Sequence, residues 1–457
     1  MIPSHQLLIQ NANIIDGTGA AAFRGSLLVS GERIQAVGPD ADSAASRRDN
    51  VPRFDASGLS VMPGLIDSHV HSTFDNAAGH DELFYHRRPG MAAITAVRNV
   101  RSMLTSGLTG FFDADSLFDL GVDLKEAINH GVIEGPRMAV GGYALMTSVG
   151  GAAGRLMPDT GTMAYARMLQ GKDAIMAEVR RQIKIGCDWI KVHVTGSFAH
   201  RRSEGEFVTF TKEELRLICD IAHDYGIPVA GHCRGARAIR VACEAGFDQI
   251  IHATQMDERA LDALVKHGAF IVPALTFQAN LMEFGDAINA SPAMQAIFRK
   301  EIEDSAQMFH KAYQAGVPVL CGTESGFSVT PYGDWHYREM EVFVKHLGLT
   351  TLEAIKCCTQ YGALALRLKD KVGTLQAGRL ADLLVVDGDP VRDITVLGRR
   401  DKLRMVMLGG KSIDLTRVEP ERTPLPEWRV HEFGSILTQS VVEQARSGKA
   451  AGGHGSH

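Results

Sequence analysis

No stretch of this 457-residue chain reaches the ~18 uninterrupted apolar residues that a membrane-crossing helix needs. Its start, Met1-Ile2-Pro3-Ser4-His5-Gln6, lacks the positive region and apolar core of a secretory signal. Together these absences predict a cytoplasmic protein without a membrane partner. Charge of one sign is scarce too: the formal net charge is -5 and no long like-charge run appears, which argues against a nucleic-acid partner. Cysteine is sparse, at seven residues without paired spacing, so a disulfide framework is not expected. Cys233 and Cys321 lie beside candidate site residues, which keeps thiol ligation as an alternative. No internal repeat is present beyond an alternation of element types. What remains is 45% hydrophobic and 22% charged, enough apolar residue to bury a large core.

The organisation changes along the chain. Residues 6 to 58 read as short strands, Leu7-Leu8-Ile9, Ile14-Ile15, Ser26 to Val29 and Ile34 to Val37, separated by Gly-containing turns. From about 59 to 368, apolar strand-like runs alternate with longer helix-period segments, the pattern of β/α units around a parallel sheet. The runs are Val61 to Ser68, Gly107 to Asp113, Arg137 to Gly142, Trp189 to Val194, Ile227 to His232, Gln249 to His252, Phe270 to Ala274 and Val317 to Gly322. Eight such runs predict an α/β fold, a closed (β/α)8 TIM-type barrel. Thr211-Lys212-Glu213-Glu214 has the spacing of a capping box and opens one of the helices. Residues 369 to 416 turn β-like again and are expected to complete the N-terminal β unit, giving a small β-sandwich domain formed from both chain ends. The tail, 417 to 457, is Pro-rich and then Gly/Ala/His-rich, a composition that predicts disorder at its end unless the chain is pinned.

Polar residues stand at the ends of these runs, where a plain core would place Val or Ile. His69 and His71 close the first; side chains two apart on a strand share a face, so two imidazoles can converge on one metal ion. Lys191 sits in the fourth run, His232 ends the fifth, His252 ends the sixth and Glu324 follows the eighth. In a parallel barrel the carboxyl ends of all strands face one point. A buried lysine beside imidazoles is costly as an ammonium, so it loses its charge or reacts. Carbamylated by carbon dioxide, Lys191 becomes a carboxylate able to bridge two divalent cations, zinc by default, which activate water for hydrolysis. Glu324 can ligate, take the proton from the attacking water and pass it to the leaving amine.

At these residues the chain resembles the amidohydrolase superfamily, in the branch similar to imidazolonepropionases and metal-dependent prolidases. The matching motifs are Pro63 to His71, Asp188-Trp189-Ile190-Lys191, Gly231-His232, Ile251-His252, Gly322-Thr323-Glu324-Ser325-Gly326 and Gly373 to Leu383. The resemblance implies that His69 and His71 hold the more buried metal, that Lys191 bridges as its carbamate, and that His232 and His252 hold the second metal. Three positions depart from the family pattern: Glu324 where Asp is usual, Ile251 where Glu often precedes the histidine, and Gly150-Gly151-Ala152 where Gly-Gly-His is common. The last removes a substrate contact.

Loops at the carboxyl ends are where substrate contacts are expected. Tyr143 can donate to a developing oxyanion or simply pack; His200 and Arg201 can hold a substrate carboxylate or form a solvated basic loop; Phe277, Met282 and Phe284 can form an apolar wall or a helix contact. The expected function is hydrolysis of a C-N bond in a small amide or peptide-like substrate: an N-acyl amino acid, dipeptide or aryl amide. Carbamate or urea hydrolysis by the same mechanism, cyclic-amide hydrolysis or deamination, and a non-catalytic scaffold are the alternatives. Lys191 argues against the mononuclear deaminases, which lack it, and the complete ligand set argues against the scaffold. Relatives are commonly oligomeric, so a homo-oligomer is expected.

Overall fold

The computed structural model describes residues 6–48, 50–78, 88–150, 165–196, 207–417 and 436–447. β1 (Gln6–Ile14), β2 (Phe23–Ser30) and β3 (Arg33–Val37) pair antiparallel in that order. The two short apolar runs at the start are therefore one strand. It is interrupted by a register shift between Ile9 and Ala12, where Asn11 takes a left-handed φ of 62°. Helix α1 (Pro39–Ser46) packs on β2, a helix that alternation in this segment does not announce. β4 (Arg53–Asp55) and β5 (Ser60–Pro63) run parallel to β1.

The first apolar run of the sequence is divided at Gly64. β5 stays with β1, whereas β6 (Leu65–Val70) leaves to pair with β7 (Leu108–Asp113). A Cβ on Gly64 would meet the side chain of Thr109 at 2.1 Å, so the crossing point has room only for glycine. Helix α2 (Pro89–Thr105) joins β6 to β7, and α3 (Leu120–Asn129) joins β7 to β8 (Arg137–Val140). Two short strands, β9 (Ala144–Met146) and β10 (Ala166–Met168), precede α4 (Lys172–Ile185). Next come β11 (Ile190–His193), α5 (Lys212–Asp224), β12 (Val229–Gly235), α6 (Ala236–Ala245), β13 (Gln249–Gln255), α7 (Glu258–His267) and β14 (Phe270–Val272). Two helices, α8 (Thr276–Phe284) and α9 (Pro292–Gln314), lead to the segment 317–325.

The pairs β6-β7-β8 and β11-β12-β13-β14 are all parallel. Backbone bonds link the remaining neighbours. The Val140 carbonyl accepts from the N–H groups of Asp188 (2.8 Å) and Trp189 (3.0 Å), tying β8 to the chain entering β11. Ile271 bridges Val319, and the N–H groups of Ser68 and His71 donate to the carbonyls of Cys321 (2.8 Å) and Ser325 (2.7 Å). The eighth run thus lies between β14 and β6.

The flanking helices bury one stripe each. In α5, Leu215, Ile218, Cys219 and Ala222 recur at the spacing of one helix face, and Thr211 and Glu214 form the capping box expected from their order. Truncating a buried leucine or isoleucine of this kind costs about 2–5 kcal/mol. All seven cysteines are buried and unpaired; Cys233 and Cys321 lie in the main apolar core, where burial holds both thiols well above their usual range. No helix among the described residues is long and apolar enough to cross a membrane.

After α10 (Arg338–His346) and α11 (Thr351–Lys356), β15 (Leu383–Val386) pairs antiparallel with β5 and with β16 (Leu403–Leu408), which pairs with β17 (Lys411–Ser412). Both ends of the chain therefore share one mixed sheet. Within the tail, Thr438 caps α12 (Gln439–Arg446), and the Leu437 carbonyl accepts from Trp335 Nε1 at 2.8 Å.

Candidate metal centre

His69 is the penultimate residue of β6 and His71 directly follows the strand, with ring centroids 5.0 Å apart. Glu324 comes to them from the eighth run: its Oε2 lies 3.2 Å from His69 Nε2, and its Oε1 lies 3.5 Å from His71 Nε2. One potential ligand atom from each residue falls within 4.8 Å of the others. The backbone holds Glu324 there, its N–H donating to the His69 carbonyl at 3.0 Å while its carbonyl accepts from Thr330 Oγ1 at 2.8 Å. Its φ of 59° and that of His252, 73°, are left-handed, a conformation that costs a non-glycine residue about 1–3 kcal/mol and persists where the surroundings enforce it. Both histidines are buried, and the Glu324 side chain, 19% exposed, forms the open side.

Asp67 joins the two halves of this group. Its Oδ1 accepts from the N–H groups of His69 (3.2 Å) and Thr323 (3.0 Å), and its Oδ2 accepts from Thr323 Oγ1 (2.5 Å). His336 Nε2 accepts from the Gly333 N–H at 3.0 Å, which leaves its proton on Nδ1 to donate to Asp67 at 2.8 Å.

The other expected ligands are close but turned elsewhere. The His252 ring lies 5.5 Å from that of His69 and 4.5 Å from that of His232, and His252 Nε2 is 3.9 Å from Glu324 Oε2. His232 Nε2 donates to the Gly196 carbonyl at 3.1 Å, and its ring stacks on His193 at 4.8 Å. Lys191 Nζ sits 3.5 Å from Asp115 Oδ2. The same oxygen lies 3.3 Å from His193 Nε2 and 3.8 Å from His71 Nδ1, so Asp115 is the hub of this side.

Electrostatics follow from burial. Desolvation holds the imidazoles of His69, His232 and His252 below their ordinary range, His232 and His252 well below it; the Arg234 charge adds to the effect on both of these, after His193 in the case of His232. For His71, burial pushes down, but the Glu324 hydrogen bond and the Asp115 charge outweigh it and raise the group. Burial pushes the Glu324 carboxyl up, yet the neighbouring His69 and His252 prevail and hold it well below the usual range. Asp115 behaves likewise, with Lys191 and His193 overcoming burial.

The donor set fits a divalent cation. His69 Nδ1, both ring nitrogens of His252 and Glu324 Oε2 are buried without a hydrogen-bond partner among the described residues. Buried imidazole and carboxylate atoms left without hydrogen bonds are costly in a dry core, and they are the donor types that a borderline metal such as zinc accepts.

Among the expected substrate contacts, Tyr143 has its ring under Arg167 (4.3 Å) and Arg181 (5.5 Å). His200 and Arg201 lie outside the described residues, as do Gly151 and Ala152. Phe277 packs on Phe327 at 5.8 Å, and Phe327 lies 5.7 Å from the His71 ring, so this part of the apolar wall adjoins the ligand group. Phe284 instead stacks on Trp335, and Met282 is buried in the main core. Sequence reasoning passes over Asp115, Tyr165 and Arg234. Asp115 carries the same signal as the others, a polar residue just past an apolar run; Tyr165, buried against Phe74 and 6.2 Å from the His193 ring, carries none.

The sequence profile of the amidohydrolase family matches residues 60–413, most of the chain. The chain belongs to the amidohydrolase family. This amidohydrolase is 27% identical over 424 residues to the ochratoxinase of Aspergillus niger, across 87% of this chain and 84% of the relative. A crystallised Xaa-Pro dipeptidase with methionine in its active site superposes with a TM-score of 0.75 and 28% identity, covering 89% of this chain and 99% of the other. A prolidase complexed with N-methylphosphonate-L-proline gives a TM-score of 0.76 and 26% identity over 89% and 99%.

Proposed function

We propose that this amidohydrolase hydrolyses the C-N bond of a small amide or peptide-like substrate, such as an N-acyl amino acid, dipeptide or aryl amide. The observation that carries the assignment is the convergence of His69, His71 and Glu324 within 4.8 Å, beside the unpartnered nitrogens of His252. The names of the relatives, an ochratoxinase and a Xaa-Pro dipeptidase, agree with it.

On this assignment the eight runs of residues 59–368 close into a (β/α)8 barrel, supported by the links from β8 to β11 and from the eighth run to β14 and β6. Residues 1–58 and 369–416, joined by β5 (Ser60–Pro63), form the small β-sandwich domain, and 417–457 the tail. His69 and His71 would hold one divalent ion, His232 and His252 a second, with Glu324 and carbamylated Lys191 completing the set. Divalent ions held by these residues, zinc by default, would supply a lowered pKa for water and polarisation of the scissile carbonyl.

The chain's own residues supply the rest. Glu324, kept ionised by its histidine neighbours and placed on the open side, accepts the proton of the attacking water and delivers it to the departing amine. Phe277 and Phe327 bound the site with apolar surface and exclude bulk water from that side. Carbamylation would require the Lys191 ammonium to give up one proton, after which the free amine joins carbon dioxide with loss of a second, so that its ion pair with Asp115 gives way to a carboxylate.

The test is amine release from a panel of N-acyl amino acids, dipeptides, aryl amides, carbamates and phenylureas, using protein loaded with zinc or cobalt in bicarbonate. Chelator-sensitive release with two equivalents of metal per chain is expected. Release from none of the panel, or release indifferent to chelator, refutes the assignment; one equivalent of metal refutes its two-ion form.

A further inference from the structure

β12 presents His232 and, two positions on and on the same side, Arg234. The arginine is 8% exposed, and its backbone N–H donates to Thr195 Oγ1 at 3.3 Å. Its Nη1 reaches Glu301 Oε1 on α9 at 2.6 Å and Thr254 Oγ1 at 3.5 Å. A purely structural arginine–glutamate pair in a dry site would be expected to use both prongs of the fork, because each buried donor or acceptor left unmade costs about 1–3 kcal/mol. Here the contact is single. Arg234 Nε and Glu301 Oε2 are both buried without a hydrogen-bond partner among the described residues. A half-used planar cation therefore stands one strand step from a candidate metal ligand, close enough that its charge acts on both His232 and His252.

We propose that Arg234 is a specificity-determining residue that binds a carboxylate of the substrate through its unused Nε edge. Glu301 and Thr254 hold the guanidinium from the Nη1 side. This amidohydrolase then selects amides bearing a free carboxylate next to the scissile bond, N-acyl amino acids or dipeptides, over neutral aryl amides. The inference rests on the hydrolase assignment above and narrows its substrate class.

The experiment compares N-acetyl-L-phenylalanine with its N-methylamide on the metal-loaded full chain, by acetate release and by calorimetric binding. Wild type is expected to favour the acid by about 10- to 100-fold in kcat/KM, the range of a charge-assisted hydrogen-bonded pair. Arg234→Met alone leaves Glu301 buried and unpaired, so the double variant Arg234→Met/Glu301→Met, which removes both charges, guards against misfolding. In it the acid-to-amide ratio should fall to near one, chiefly through KM, and the calorimetric preference should vanish; Arg234→Lys should restore part of both. An unchanged ratio in the double variant, or no preference in wild type that releases acetate from both compounds, overturns the inference. Where neither compound releases acetate, the hydrolase assignment is decided by the wider panel above and calorimetry alone decides the inference: Arg234-dependent selective binding of the acid upholds it, and equal binding of acid and amide overturns it.

Discussion

His69, His71 and Glu324 converge on one another across two adjacent segments, whereas Lys191 and His232, on β11 and β12, are engaged by Asp115 and the Gly196 carbonyl. The first group is positioned by backbone: the N–H groups of Ser68, His71 and Glu324 cross-link its two segments, and Asp67 clamps both. Charge positions the second, since Asp115 gathers Lys191, His193 and His71 around one carboxylate oxygen. One group is thus held by backbone bonds between neighbouring segments and the Asp67 clamp, the other by charge gathered on a single carboxylate.

The largest effect expected is on the residue that completes the backbone-built half. Glu324→Gln should keep metal bound but lower kcat by ~10³-fold, within the usual range for a lost general acid–base group; near-wild-type turnover with full metal content would remove the proton-shuttle role. Asp115→Asn acts on the charge-built half, releasing Lys191 and His193. A loss of metal affinity of about 10- to 100-fold is expected, as for other groups that orient ligands, read by titration against a competing chelator; unaltered affinity would mean that this half does not depend on the hub.

Gly64→Ala tests whether the two strands are locked together. Its Cβ would press on Thr109 and drive β6 away from β7, with a stability loss of about 1–3 kcal/mol in urea unfolding. An undiminished midpoint would show that the junction yields. The last test concerns Glu339, which accepts from the Leu275 N–H (2.8 Å) and Thr276 Oγ1 (2.6 Å) outside either half. Burial pushes its carboxyl up from 4.5 to about 8. The folded state therefore binds the proton more tightly than the unfolded chain; this contribution is complete below pH ~4.5 and disappears as pH rises through ~8. Glu339→Gln should flatten the fall in stability over that window, and a slope identical to wild type would refute the assignment.

The convergence of His69, His71 and Glu324 is legible because each is a polar residue at or just past the end of an apolar run, a pattern that burial alone would not tolerate. The pairing of Lys191 is not. Whether Lys191 faces Asp115 or a histidine depends on rotamers and on a second carboxylate that arrives from β7, and neither leaves a mark at residue 191. Tyr143 shows the same limit, since Arg167 and Arg181, which take its ring, are 24 and 38 positions away. In the fold, the parallel pairings follow the alternation of elements, but the change of sheets at Gly64 hides inside one continuous apolar run. Period-two alternation says which face a residue takes and nothing about which sheet receives it.

The mixed sheet has a consequence for biosynthesis. β5 pairs on one edge with β1 at once, but its other edge belongs to β15, which follows roughly 320 residues later. At about 5–20 residues per second, that edge stays bare for about 15 to 65 seconds while the ribosome makes the intervening chain. During that interval the nascent protein carries an open β edge, a template for pairing with another chain. Truncation before residue 383 would make the exposure permanent.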